Sequence, residues 1–226
     1  MFKTRSTELE RIDTGDYTPE EYATFLREIR FINRYLGDVR ALRKSLFREI
    51  EEVDLREFSV LDVACGSGEL LREAAELARR SGRDARLTGI DLHELSFIEP
   101  AAGISFVHGD AFRLPFADDS FDFAISSLFF HHLSDEHIPL ALAEMSRVAR
   151  RGVFVIDLER SRLAYHLYKL FCFAFRISPL VTQDGSLSVR KGFTAAELGK
   201  LGEVARSFPF RLVVKLEQPH VSGNPR

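Results

Sequence analysis

The chain has 226 residues, 45% of them hydrophobic and 29% charged, and a formal net charge of -3. That length suits one α/β domain with a sizeable core, and the composition excludes disordered, fibrous and disulfide-rich classes. The charge lacks the basic excess that neutralises phosphates, so no nucleic-acid partner is expected, and the basic pairs Arg79-Arg80 and Arg150-Arg151 read as helix ends.

Met1 to Arg11 alternate charged and polar residues without an apolar run, so no secretory signal is read there. Cys65 and Cys172 are too few and too far apart for a disulfide framework or a zinc set. A cytoplasmic location without a structural metal is therefore expected. Thr18-Pro19-Glu20-Glu21 has the N-cap hydroxyl, early proline and following glutamate of a helix start. Tyr22, Phe25, Leu26, Ile29 and Leu36 continue it as an apolar stripe. Gly37 closes it, and Val39, Leu42, Leu46 and Ile50 mark a second helix.

From Phe58 short apolar runs alternate with helical patterns, the mark of βαβ units. Strands are expected at Phe58 to Ala64, Leu87 to Asp91, Ile104 to Val107, Phe121 to Ser126 and Gly152 to Asp157. Helices are expected over Leu70 to Arg80, with Gly82 as its cap, and Asp135 to Ala149. The expected fold is a Rossmann-like, doubly wound, mostly parallel α/β sheet. It carries N-terminal helices, a helical insert after the fifth strand and an antiparallel C-terminal strand. The insert holds the longest apolar stretch, Leu163 to Val181. His166, Lys169 and Arg176 recur along one side of it, so it reads as an amphipathic helix and not a membrane span. A second capping box opens at Thr194. Leu212, Val214 and Leu216 alternate with Arg211 and Lys215, as in a strand with one wet face.

Chemistry concentrates where strands end. Leu61-Asp62-Val63-Ala64-Cys65-Gly66-Ser67-Gly68 runs from a strand through small residues, which let backbone amides approach a ligand. The third glycine of a dinucleotide fingerprint is missing, and the Asp62 carboxylate would repel pyrophosphate, which argues against a nicotinamide dehydrogenase. That carboxylate suits the α-ammonium of a methionine moiety. Asp91 lies where such folds bind a ribose diol, or else it caps the segment that follows. Asp110 can accept from an adenine amino group while the next amide donates, or it caps a turn.

The run from Val60 to Glu159 resembles the core of class I S-adenosylmethionine-dependent methyltransferases, in particular the group that methylates quinones and other small molecules at carbon or oxygen. The resemblance rests on residues 61–68, Gly109-Asp110-Ala111 with Leu114-Pro115-Phe116, Asp119-Ser120-Phe121-Asp122, His131-His132-Leu133 and Glu144-Met145-Ser146-Arg147-Val148. It implies S-adenosylmethionine as cofactor, with Asp62 and the backbone of Ala64, Cys65, Gly66 and Gly68 at the methionine part. Asp91 and Leu92 would meet the ribose, Asp110 and Ala111 the adenine, and a carbonyl near Ser127 the ammonium. Ala64 replaces the usual first glycine of the turn, at little cost while its φ is negative. In these terms 1–56 are N-terminal helices, 57–159 the cofactor-binding core, 160–193 an acceptor-side insert, and 194–226 a C-terminal helix and strands.

His131 and His132 follow the fourth strand. One of them deprotonates the acceptor, or the pair only orders its loop. In the insert, Leu163, Leu167, Leu170, Phe171 and Ala174 form an apolar face that packs in a core or lids a lipophilic acceptor. Asp157, Glu159, Tyr165, His166, Arg190 and Lys191 are polar candidates beside it. The expected partner is a small phenolic, polyketide-like or quinol-type acceptor methylated at oxygen. Quinone C-methylation and a non-catalytic cofactor-binding regulator are the alternatives. No metal ligands are read, and the oligomeric state is left open.

Overall fold

The structure is a computed structural model that describes residues 2–92 and 103–217. The chain begins with α1 (Arg11–Thr14) and α2 (Pro19–Tyr35). The Thr18 hydroxyl accepts from the Glu21 amide and Glu21 Oε2 takes the Thr18 amide at 2.9 Å, so the expected capping box is present. α3 (Asp38–Leu42), a π-helical turn (Arg43–Phe47) and α4 (Arg48–Glu52) follow without a break, and Leu42, Leu46 and Ile50 from the expected stripe are fully buried. The stripe of α2 is more open: Ile32 is buried, whereas Tyr22, Phe25, Leu26, Ile29 and Leu36 are only half-buried.

The next elements are β1 (Glu57–Val63), α5 (Glu69–Arg80), β2 (Asp84–Asp91), β3 (Ile104–His108), β4 (Phe121–Ser127), α6 (Ile138–Val148) and β5 (Ala149–Leu158). After them come α7 (Arg162–Phe175), α8 (Pro179–Lys191), α9 (Ala195–Leu198), β6 (Glu203–Ser207) and β7 (Arg211–Glu217). The sheet order is β3-β2-β1-β4-β5-β7-β6, parallel except for its C-terminal strands, as expected. β1 pairs in parallel with both β2 and β4, placing Asp62 between Gly89 and Ile125. Chain order reverses on either side of β1, and such a reversal opens a crevice at the strands' carboxyl ends.

By internal contacts the chain divides into two compact units. One comprises Leu55–Ser126, Asp135–Val155 and Lys215–Arg226; the other comprises Met1–Asp54, Ser127–Ser134 and Ile156–Val214. In the first, Leu61, Leu71, Ile90, Phe123, Ile125 and Met145 are fully buried, consistent with strands covered on both faces. In the second, Ile32, Tyr168, Cys172 and Val181 form a core cluster flanked by Phe25, Phe31, Leu36, Phe171 and Ile177.

Several expectations are corrected. α6 begins at Ile138, three residues later than read, with Pro139 in its first turn. Arg150 and Arg151 open a strand instead of ending a helix, and both guanidiniums pair with the buried Asp122 carboxylate at 2.9 Å. α8 was not anticipated as a separate helix, and β6 falls within the expected C-terminal strands without having been located. Gly185, Ser186 and Ser188 are poor helix formers, but Gly185 is required because a Cβ there would collide with the Tyr168 ring. On α7 the buried face is Ala164, Tyr168 and Cys172, and the expected core stripe points outward, with Leu163, Leu167 and Leu170 at 59%, 45% and 60% exposure. Small Ala164 and Cys172 permit close packing, and Tyr168 donates its hydroxyl to the Val181 carbonyl at 2.8 Å. The helix therefore seats on its smaller residues. Residues 218–226 of the expected C-terminal part lie outside the described residues.

β7 has no wet face at Arg211, which is 4% exposed. Its guanidinium donates to both Asp38 oxygens, at 2.8 and 2.9 Å, in a buried fork-to-fork pair. Asp38 also opens α3, where a negative charge is favoured. Asp38→Ala strands the buried guanidinium and is expected to cost about 3–5 kcal/mol in denaturant unfolding. Combining it with Arg211→Met is expected to recover much of the loss. A loss below 1 kcal/mol for the single variant would show that the pair is solvated.

Candidate cofactor cradle and histidine cluster

At the end of β1 the chain must turn sharply to enter α5. Ala64, Gly66 and Gly68 all take positive φ, at 59°, 52° and 74°. The expectation of a negative φ at Ala64 is thus overturned: the turn needs a left-handed residue there, and alanine accepts the strain, about 1 kcal/mol. The turn is held by the Cys65 amide donating to the Ile90 carbonyl at 3.1 Å and the Gly66 amide donating to Asp91 Oδ2 at 2.8 Å. A Cβ at Gly68 would enter the Phe106 ring, whereas one at Gly66 would meet nothing within 4 Å. Space therefore lies open before Gly66, beside the amino end of α5.

Asp62 is 2% exposed, and its Oδ1 is a buried oxygen without a hydrogen-bond partner. Loss of hydration first, and the charge of Asp91 second, push its carboxyl well above the ordinary carboxylate range. Burial, together with the same two acids, also pushes the Cys65 thiol up. A buried acceptor without a partner, just before this turn, is a group that an ammonium donor would satisfy.

Asp91 touches this turn directly, while Leu92 follows the end of β2 and Asp110 and Ala111 follow the end of β3. The Gly109 amide donates to the Asp91 carbonyl at 2.9 Å, and the His108 ring nitrogen Nε2 meets the Leu92 carbonyl at 2.8 Å. Leu92 is 65% exposed. Asp91 spends one oxygen on the Gly66 amide, and its alternative role as a cap falls on residues outside those described. Asp110 Oδ1 accepts from the Phe112 amide at 2.9 Å, so its turn-capping role is present. Ser127 belongs to the other compact unit, where its hydroxyl donates to Asp38 at 3.3 Å.

That second unit gathers the histidines. They sit in a 3-10 turn, Phe130–His132, after β4. His131 is 3% exposed; its Nδ1 lies 2.8 Å from Asp157 Oδ1 and its amide donates to Asp157 Oδ2 at 3.0 Å. Burial alone would raise the Asp157 pKa, but His131 and the hydrogen bonds hold it below the usual value. A carboxylate there fixes the hydrogen of the neutral ring on Nδ1 and leaves the acceptor pair on Nε2. His132 is partly exposed, with Nδ1 3.1 Å from Asp13 Oδ2 and 3.4 Å from Lys191 Nζ. Burial opposes charging this ring, yet the Asp13 hydrogen bond and the Glu10 charge outweigh it and raise its pKa.

Arg5, Glu10 and Asp13 were not anticipated. The Arg5 guanidinium donates to the carbonyls of His131 and Leu133 at 3.1 and 2.8 Å, and to that of Lys191 at 3.0 Å, bracing the turn. The reading that no acids and histidines converge also changes, because donor atoms of Glu10, His131 and His132 lie within 4.8 Å of one another. Lys191 supplies a positive charge at this place, its Nζ 3.2 Å from Glu10 Oε1.

An acid whose pKa is raised by folding favours the fold at low pH, and that contribution is lost as pH rises through the raised value. Asp62→Asn removes the charge at nearly constant shape. Its melting temperature should gain on the parent protein as pH rises from the carboxylate range to pH 8, by an amount equivalent to about 1–2 kcal/mol. A difference independent of pH would mean that Asp62 is not held against ionisation.

Residues 60–152 match the family described as "Methyltransferase domain". A demethylmenaquinone methyltransferase of Staphylococcus aureus (strain MRSA252) is 32% identical over 130 residues, covering 54% of this chain and 52% of the relative. The chain thus spans about half the length of the curated relatives it matches. Among solved structures, magnesium protoporphyrin IX methyltransferase from Synechocystis PCC 6803 covers 91% of this chain and 98% of its own at 16% identity, with a TM-score of 0.56. A methyltransferase from Aquifex aeolicus covers 81% of this chain and 91% of its own at 18% identity, with a TM-score of 0.53. These structures share the fold. Residues 60–152, which match the methyltransferase domain, contain the ordered turn after β1.

Proposed function

We propose that the protein transfers a methyl group from S-adenosylmethionine to a small aromatic acceptor bearing an ionisable hydroxyl, of quinol or phenol type. The observation that carries the reading is the buried Asp62 oxygen without a partner, beside a turn braced by Asp91. In this reading Asp62 faces the methionine ammonium, and the backbone from Ala64 to Gly68 lines the methionine part. Asp91 with Leu92 meets the ribose, and Asp110 with Ala111 meets the adenine. S-adenosylmethionine supplies a methyl group on a sulfonium, which an aligned nucleophile displaces in line.

The acceptor class is supported by the name of the Staphylococcus aureus relatives, which refers to demethylmenaquinone. Removing a proton from a ring hydroxyl enriches both the oxygen and the adjacent ring carbon in electrons, so one base serves O- and C-methylation alike. His131 is assigned as that base. Asp157 holds its Nδ1 hydrogen and stabilises the imidazolium that forms. His132, tied to Asp13 and Lys191, orders the turn.

Titration calorimetry is expected to show one S-adenosylmethionine or S-adenosylhomocysteine bound per chain, with Asp62→Asn weakening binding by about 10–100-fold. Absence of binding in the parent protein removes the reading. Binding without methylation of any quinol or phenol would instead favour a cofactor-binding regulator.

For catalysis, His131→Gln is expected to lower kcat by about 10²–10⁴-fold at nearly constant cofactor affinity, and His132→Gln far less. Should both variants keep the parent turnover, with only their melting temperatures lowered, the pair orders the loop and the base assignment is wrong.

A further inference from the structure

The outer face of α7 has a composition that neither the cofactor cradle nor the histidine cluster uses. Twelve large apolar side chains are exposed among the described residues, and five of them, Leu163, Leu167, Leu170, Phe173 and Phe175, lie on this one helix. Leu163, Leu167 and Leu170 repeat at steps of four and three and so form one stripe along the side opposite Ala164, Tyr168 and Cys172. Phe173, at 83% exposure, projects beside its C-terminal end. There the apolar surface extends through Phe171 and Phe175 to Phe31 and the exposed Tyr35, the aromatic rings standing 4.6–6.0 Å apart. Monomeric soluble proteins rarely leave such surface contiguous without a use for it.

The charges beside the stripe select the use. Arg162, His166 and Lys169 recur at steps of four and three along its edge, all exposed, and Arg176 follows the last turn. No aspartate or glutamate occurs from Arg160 to Gln183, although the chain as a whole carries a net charge of -3. A positive edge on an acidic protein is complementary to an anionic surface. Leucines and phenylalanines beside it have the depth to enter an acyl layer, while lysine and arginine stems reach to headgroups. The helix has 14 residues, and no helix among those described is long and apolar enough to cross a membrane. A helix of this kind lies in the interface plane.

We propose that α7 is an interfacial helix through which the protein docks on anionic phospholipid membranes, its leucine and phenylalanine stripe inserted and Arg162, Lys169 and Arg176 among the headgroups. The proposal rests on this helix alone and is independent of the methyl-transfer reading.

The test is co-sedimentation of the full chain with phosphatidylcholine vesicles made with or without phosphatidylglycerol. Binding is expected to the anionic vesicles, about tenfold weaker to the neutral ones, and to weaken as salt is raised. Leu170→Ser with Phe173→Ser should reduce it about tenfold with the melting temperature unchanged, because both side chains already face solvent. Arg162→Glu with Lys169→Glu should abolish the preference for phosphatidylglycerol. Lack of binding to either vesicle, or binding unaffected by the serine variants, overturns the proposal. A concentration-dependent dimer that those variants abolish, without vesicle binding, would overturn it in favour of a second copy of the chain. A changed KM for the acceptor, without vesicle binding, would overturn it in favour of a lid.

Discussion

The carboxyl ends of β1, β2 and β3 are tied together through Asp91. Its side chain takes the Gly66 amide and so fixes the turn after β1, while its backbone carbonyl takes the Gly109 amide and fixes the turn after β3. A charge-assisted bond of this kind, in a residue 8% exposed, offsets the left-handed backbone at Ala64 that would otherwise relax the turn. The cradle is thus preorganised by the strand ends themselves. Side chains from distant loops are not needed to shape it.

Two buried carboxylates in the molecule are treated in opposite ways. Asp157 is satisfied on both oxygens, by the His131 ring and amide and by the Leu158 amide, and its pKa is held down. Asp62 has an oxygen with no partner, and its pKa is pushed up. The first arrangement fixes a neighbouring ring. The second leaves a buried acceptor whose desolvation is not offset. Both are buried; burial raises Asp62, whereas at Asp157 the His131 ring and the hydrogen bonds outweigh it.

The strand-to-helix turn, the three acids after successive strands and the sheet connectivity were all legible in the sequence, because each depends on neighbours close along the chain. The capping boxes at Thr18 and Thr194 were legible for the same reason. What was not legible depends on distant partners. Arg211 reads as a solvent-facing residue until Asp38, 173 positions away, is placed against it. α8 was hidden by Gly185, which weakens a helix locally and is needed only because Tyr168 crosses there. The stripe of α7 has helical period, but period alone does not say which side faces inward; the small residues Ala164 and Cys172 decide that. At Ala64 a residue type compatible with either hand of backbone concealed a positive φ.

The bracing of the histidine turn also constrains the order of assembly. Arg5 grips the carbonyls of His131 and Leu133, 126 and 128 positions along, and that of Lys191, 186 positions along. A chain synthesised from its amino end presents Arg5 long before any of these acceptors exists, and closing so long a loop is slow compared with forming a helix. The cluster of Glu10, Asp13, His132 and Lys191 is subject to the same delay. The cradle draws its contacts from Asp62 to Asp110 and can close while the carboxyl-terminal third is still being made. Its maturation therefore precedes that of the histidine turn, so a nascent chain passes through a stage with a formed cradle and an unbraced histidine turn.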